Sequence, residues 1–307
     1  MTKQSNKETI CPECEGEKVK KDGLRQTENR GKIQRFKCKD CGVRFVVDDG
    51  FFRMRNNEKK ITAGIDLYYK GVSFRKVQDH FKAFYPHNSS HMTIYRWIVR
   101  YSKMVATITD NFQIQCGQEM MSDEMEYYRR RDSRSEGREQ NWFVDTFDLK
   151  TRFMIAGEYM RSRTNENLIK VLKRSKMKTG DQVKIVTTDG LMGYPTVLRA
   201  TYNLQSPYHV SSSTKSKIIH NVVKADERGF NHPIERLHNT IRERTKIMRG
   251  FHGSLESANA IMKGLEINYN FNRKNLALKN KMPYEEAIPE LKLGDNKWLD
   301  LIRLSKI

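Results

Sequence analysis

No stretch of this 307-residue chain approaches the ~18 consecutive apolar residues of a membrane span. The opening residues, MTKQSNKETI, lack the apolar core of a secretory signal. Neither an internal repeat nor a low-complexity tract is present, so a solenoid or a biased linker does not account for the chain. Cysteine is scarce. Four of the five fall in two Cys-x-x-Cys pairs and Cys116 stands alone, which is no disulfide framework and fits a reducing compartment. Acidic residues are also outnumbered, 37 against 57 Lys and Arg, for a net charge of +20. The expectation is an intracellular, cytoplasmic protein with enough chain for two or three domains.

The positive charge occurs in every third of the sequence, so no single basic tail explains it. With aromatic residues at 10% of the chain, this balance points to a polyanion partner, most simply nucleic acid.

Residues 1–50 contain CPEC and CKDCG. Cys11 and Cys14 form one knuckle, Cys38 and Cys41 the other, with 23 residues between Cys14 and Cys38. Two such knuckles converge on a closed tetrahedral zinc site, and four thiolates leave no open position for chemistry, so Zn²⁺ here is structural. The stretch between them, with a turn at Asn29–Gly31, reads as a hairpin. So small a unit has little core of its own, and zinc binding would drive its folding.

Residues 51–110 read as three short helices. Gly71 stops the first, Ser73 caps the second, and a Ser pair precedes the third. Polar turns between short helices suit a helix-turn-helix. In that arrangement His91, Thr93, Tyr95, Arg96 and Arg100 line the exposed face of the third helix and can enter a DNA groove.

From about residue 111 the pattern changes. QEMMSDEMEYYRRR, NWFVDTFDL and RFMIAGEYM read as successive strands, with RRRDSRSEGREQ a solvated loop. TNENLIKVLKRSKM is an amphipathic helix, DQVKIVTTDG a buried strand ending at Asp189, and YPTVLRATYN a helix. Strands followed by helix, strand and helix make an α/β core.

The segment NHPIERLHNTIRERTKIMRGF is a helix with Asn231 as a candidate cap and Pro233 in its first turn. Ile234, Leu237 and Ile241 form an apolar stripe. Glu235, His238 and Arg242 repeat that spacing on the neighbouring stripe. Asp123 on the first strand, Asp189 after the buried strand and Glu235 on this helix can converge at one edge of a sheet, where hard oxygen ligands suit Mg²⁺ or Mn²⁺. Spacing alone makes this a weak trio, since a lone Asp at a strand end is often a turn residue.

VTTDGLMGYP, followed by NHPIERLHNTIRERTKIMRGFHGSLESANAIMKGLEINYNFNR, resembles the catalytic region of insertion-sequence transposases of the DDE class. Thr-Asp-Gly with a following Tyr, then an Ile-Glu-x-x-His helix and a second helix beginning with Ser, carry the likeness. SDEMEYYRRR…NWFVDTFDLKTRFMIAGEYM resembles their first strands, and NRKNLALKNKMPYEEAI their short tail. The resemblance spans roughly residues 8 to 290. It implies a ribonuclease H-like, integrase-like catalytic core at 111–275, behind a zinc ribbon (1–50) and a helix-turn-helix (51–110), with a helical tail at 276–307. It also implies that Asp123, Asp189 and Glu235 hold two catalytic Mg²⁺ or Mn²⁺ ions, that His238 orients Glu235 or contacts the scissile strand, and that Arg242, Arg244 and Lys246 hold phosphates.

Two departures from the pattern stand out. The 45 residues between Asp189 and Glu235 exceed the usual interval, and they include Asp226 and Glu227 as rival third carboxylates. The first strand offers Asp123, Glu124 and Glu126, and strict alternation would keep Asp123 and Glu124 on opposite faces.

The function implied is DNA transposition: binding double-stranded element ends, cutting them, and joining the freed ends to target DNA. Two ends require at least two active sites, hence a homodimer or larger assembly at the nucleoid. The alternative is a domesticated, catalytically silent DNA-binding regulator.

Overall fold

The computed structural model describes residues 9–28, 30–85, 89–130, 138–204, 218–223, 232–248 and 251–306. The chain begins with strands β1 (Val19–Thr27), β2 (Gly31–Cys38) and β3 (Arg44–Phe45), which form an antiparallel three-stranded sheet in sequence order. Helices α1 (Glu58–Tyr69), α2 (Phe74–Phe84) and α3 (His91–Thr109) follow. Each starts where a side chain supplies the acceptor that a first turn needs: Asn57 for Lys60 N, Ser73 for Lys76 N and Ser90 for Thr93 N.

The third helix is longer than the short helix expected, at 19 residues. Its apolar series does not stop at Tyr101 but continues through Val105 and Ala106. The extra turns give it a second partner among the C-terminal helices.

The α/β portion contains β4 (Glu119–Glu126), β5 (Arg129–Arg130), β6 (Arg138–Glu139), β7 (Trp142–Asp148), β8 (Met154–Met160), α4 (Asn165–Thr179), β9 (Ile185–Thr188), α5 (Tyr194–Tyr202) and β10 (Ile219–Val222). After these come α6 (His232–Met248), β11 (Phe251–His252), α7 (Leu255–Asn272), α8 (Pro283–Ala287) and α9 (Lys297–Leu304). The main sheet has the order β10-β9-β4-β7-β8. β4, β7 and β8 form an antiparallel meander, while β9 and β10 run parallel to β4. β5, β6 and β11 make a second small sheet. Neither β10 nor this small sheet has a sequence signal strong enough to read: β10 (Ile-His-Asn-Val) is mostly exposed and has no apolar run, and two-residue strands show no periodicity.

β8 is an edge strand of the described sheet, and side chains cover its edge. The Asn270 amide accepts from Met154 N at 2.9 Å and donates to Met154 O at 2.8 Å, as a neighbouring strand would. Asn259 accepts from Tyr159 N, and Lys178 of α4 donates to Ile155 O.

One apolar core runs from Phe51 to Ile302. α3 packs along α7, and α9 returns to α1 and α3. Gly264 of α7 permits this: a Cβ there would lie 1.7 Å from the Tyr69 hydroxyl. That hydroxyl shares a hydrogen bond with Ser102 Oγ at 2.8 Å. Trp298 of α9, 1% exposed, stacks on Tyr69 at 5.4 Å. The helical unit is therefore fused to the α/β portion by packing. No helix among the described residues is long and apolar enough to cross a membrane.

Candidate functional site

The four cysteines expected to meet do so. Sγ of Cys11 lies 3.6 Å from that of Cys41, and Cys14 stands at the same distance from Cys38. All four sulfurs fall within 4.8 Å of one another. Zn–S bonds of about 2.3 Å in a tetrahedron put the sulfurs about 3.8 Å apart, so the group has the dimensions of a tetrathiolate zinc site. Cys11 and Cys38 are buried while Cys14 and Cys41 are exposed, which places the site at the surface of the small sheet.

The second cluster lies in the main sheet. Carboxylate oxygens of Asp123, Glu124 and Asp189 all lie within 4.8 Å of one another. β4 supplies the first two. β9 ends at Thr188, paired with Ser122, and Asp189 follows directly. This corrects the alternation argument. Beyond Ser122, β4 has no partner on the β9 side, so side chains from both of its faces reach around the open edge. Asp123 faces α6, and Glu124 faces α5.

Each carboxylate is held by a different device. Asp123 Oδ1 accepts from Glu124 N at 2.8 Å, and Asp189 Oδ1 accepts from Leu191 N at 3.0 Å. In both, one oxygen is fixed by backbone; the second oxygen of Asp189 remains for a ligand, and that of Asp123 faces His238. Glu124 accepts from the Tyr194 hydroxyl, and Arg163 stands 3.5 Å from its second oxygen. Burial pushes the Asp123 carboxyl up to about 6, against the pull of His238 and reinforced by Asp145 and Asp189. Burial likewise pushes Glu124 up to about 7, with Asp189 and Asp123 adding to it. Such crowded, desolvated carboxylates favour either protonation or a bound cation.

His238 is only 3% exposed. Its Nε2 lies 2.6 Å from Oδ1 of Asp145 on β7, and its Nδ1 lies 3.6 Å from Oδ2 of Asp123. Burial alone would lower this imidazole, but the charge and hydrogen bond of Asp145 outweigh burial and hold it above its ordinary value. Asp123 and Asp145 are directly opposed across β4 and β7. Sequence reading passed over Asp145 and gave Tyr194 no role. A signal for Asp145 existed: a carboxylate inside the apolar run FVDTF must find a partner once buried.

Glu235 lies on the exposed side of α6 and outside the 4.8 Å group. It sits one helical turn before His238. Arg242 is exposed on the same helix, with Nη1 3.4 Å from Asn239 Oδ1. Arg244 donates to the Lys70 carbonyl at 2.7 Å, tying α6 to the end of α1. The Lys246 side chain, Asp226, Glu227 and Asn231 lie outside the described residues.

On α3, Arg96 and Arg100 are exposed, and His91, Thr93 and Tyr95 are half-buried. Gln78 of α2 accepts from the His91 backbone N–H at 2.8 Å, bracing the start of α3. The Tyr95 ring packs edge-on against Phe74 at 5.5 Å. Arg100 reaches Met54 Sδ at 3.8 Å.

No family model matches this chain, and no curated protein matches it. Among solved structures, a Drosophila P element transposase strand transfer complex overlaps with a TM-score of 0.33 at 16% identity, over 66% of this chain and 46% of that one. A piggyBac transposase synaptic complex with hairpin DNA overlaps with a TM-score of 0.33 at 11% identity, over 82% of this chain and 71% of that one. The chain thus spans about half the length of the first of these. Overlap this slight fixes neither fold nor chemistry.

Proposed function

We propose that this protein is a DNA transposase of the DDE class, which cuts and joins DNA strands at a divalent-metal site. The observation that carries the reading is the carboxylate group of Asp123, Glu124 and Asp189 beside β4, within a chain of net charge +20. Three buried or half-buried carboxylates so close together are costly unless a cation is present. The strand order, a three-stranded antiparallel meander continued by two parallel strands, supports a ribonuclease H-like core. The Cys₄ unit and the exposed arginines of α3 support DNA binding ahead of that core, with Zn²⁺ as the structural ion.

Bound Mg²⁺ or Mn²⁺ would supply Lewis acidity to an in-line displacement at phosphorus. The chain's own residues hold and orient. Asp189 presents a free oxygen because a backbone N–H fixes the other, and Asp123 would offer the oxygen that His238 orients. Tyr194 and Arg163 hold Glu124, and the His238–Asp145 pair braces Asp123 from below. Glu235, one turn from His238 on α6, would complete the ligand set when DNA is bound.

In the cutting step a water oxygen bonds to phosphorus and the P–O3′ bond breaks. The leaving oxygen takes a proton to become a free 3′-hydroxyl. In the joining step that hydroxyl attacks a target phosphodiester, whose own 3′-oxygen leaves. Two element ends require two such sites, so the working form is a dimer or larger.

The test is Mg²⁺-dependent nicking of duplex DNA taken from the sequences flanking the gene. Wild-type protein cuts it. Asp189→Asn binds the same duplex without cutting. An Asp189→Asn protein that cuts at the wild-type rate would end this reading.

A further inference from the structure

A cleft of about 250 Å³ opens between the N-terminal half of α6 and the segment following α7. Four cationic side chains line it: Arg152, Arg236, Arg273 and Lys274. No acidic residue is among the described residues that line it. None of the four cations forms an ion pair with a described residue, unlike Arg30, Arg129 and Arg174 elsewhere. Four like charges gathered with no counter-ion among the described residues repel one another, and the arrangement becomes favourable when an anion enters.

Apart from Thr240 and Asn275, the remaining lining residues are apolar or aromatic. Pro233 and Leu237 of α6, Tyr269 of α7 and Leu276 form walls between the cations. Leu276 is 85% exposed, an unusual place for a leucine without a partner. Arg273 lies over the Tyr269 ring at 5.8 Å.

A site that only gripped duplex phosphates would have no use for an apolar wall. A volume of about 250 Å³ lies just under the range of small-ligand pockets, roughly 300–1,000 Å³, far too small for a duplex. The chemistry that matches a cationic rim and an apolar wall is one nucleotide, with its base against the wall and its phosphates on the rim.

The cleft lies beside the buried His238–Asp145 pair that packs against Asp123. Leu237 precedes His238 on α6, and Phe147, which also lines the cleft, is two residues from Asp145 on β7. Two residues of strand span about 7 Å.

We infer that the cleft binds a single unpaired nucleotide of the DNA strand, beside the His238–Asp145 pair. The inference rests on the reading that this protein acts on DNA. The experiment uses full-length, zinc-loaded protein with no added Mg²⁺ or Mn²⁺, so that metal-dependent cutting plays no part. Fluorescently labelled short duplexes are compared by anisotropy: fully paired, with one bulged nucleotide, and with a bulged abasic residue.

Wild-type protein binds the bulged duplex about tenfold more tightly than the paired one, the size of one stacked base. The abasic bulge loses that advantage. Arg236→Glu with Lys274→Glu, and separately Leu276→Glu, reduce the preference for the bulge; the three positions are exposed, so folding is retained and is checked by circular dichroism. Equal binding of bulged and paired duplexes by wild type, equal binding of abasic and base-containing bulges, or variants that keep the full preference would each overturn the inference. A protein that binds no DNA at all would remove the functional reading as well, whereas one that binds paired DNA without the preference removes only the cleft.

Discussion

Nε2 of His238 stands 2.6 Å from Oδ1 of Asp145, and the two side chains are 3% and 0% exposed. The pair joins α6 to the centre of β7 directly beside Asp123. Because Asp123 opposes Asp145 across the sheet, loss of the imidazole would leave a buried and a half-buried carboxylate facing each other. The pair thus serves both the fold and the orientation of the site.

Asp145→Ala should be costly. Removing one partner of a buried charged pair typically costs about 3 kcal/mol or more. Asp145→Leu combined with His238→Leu should cost less than the sum of the two single changes, because no polar group is left stranded. Urea denaturation of the four proteins measures this cycle. Additive single costs would show that the two residues act independently.

The carboxylates differ in how they should respond to metal. Without DNA, Mg²⁺ or Mn²⁺ should raise the melting temperature of wild type, and Asp123→Asn, Glu124→Gln and Asp189→Asn should each weaken that rise. Glu235→Gln should leave the rise intact, because Glu235 lies outside the 4.8 Å group, and yet abolish strand cutting. Calorimetry with and without metal, beside a nicking assay, separates the two behaviours. Cutting by Glu235→Gln at the wild-type rate would confine the site to the sheet.

The sequence foretold more of the frame than of the site. The stop at Gly71, the caps at Ser73 and the Ser pair before α3, and the stripe Ile234, Leu237 and Ile241 are local patterns, and local patterns fix helices. Strands β4, β7, β8 and β9 were legible for the same reason. The inclusion of Glu124 was not, because it depends on where β9 stops relative to Ser122, a property of pairing register rather than of either strand. The return of α9 to Tyr69 depends likewise on Gly264 in a distant helix. Asp145 hid inside an apolar strand, where its partner is 93 residues away along the chain.

The zinc unit should be separable from the core by stability. Cys38→Ser, or treatment with a strong chelator, should unfold β1–β3 and leave the far-ultraviolet signature of the helices largely unchanged, since four thiolates supply most of that unit's cohesion. Metal analysis of the intact protein should return about one zinc per chain. A zinc-free protein with a folded hairpin would refute this.

On α3, Arg96→Ala should weaken DNA binding more than Arg100→Ala. Arg100 is already drawn toward Met54 and the Tyr101 ring, whereas no contact of that kind holds the exposed Arg96. If Arg96 contacts a phosphate, its loss should reduce the slope of log affinity against log salt by about 1. Titrations at several salt concentrations give that slope directly, and an unchanged slope with unchanged sequence preference would remove Arg96 from the interface.

Lys178 offers a test by pH. Its ammonium donates to the Ile155 carbonyl and lies 3.7 Å from Asp110 and 3.8 Å from Glu266. Lys263 holds both carboxylates more closely, at 2.7 Å. Burial therefore lowers Lys178 from 10.5 to about 8, despite the help of Glu266 and Asp110. Between those values the unfolded chain keeps a proton that the folded chain has released, so stability from this group rises with pH. Below about 8 the full cost of burying the ammonium is present. Lys178→Met removes that cost, so its stability relative to wild type should be most favourable near neutral pH. The difference should then shift toward wild type by up to about 3 kcal/mol as pH approaches 10. Denaturation of both proteins across this range, at fixed ionic strength, measures the difference with other titrations cancelling. A constant offset would mean that Lys178 stays charged, with Glu266 and Asp110 offsetting its burial in full.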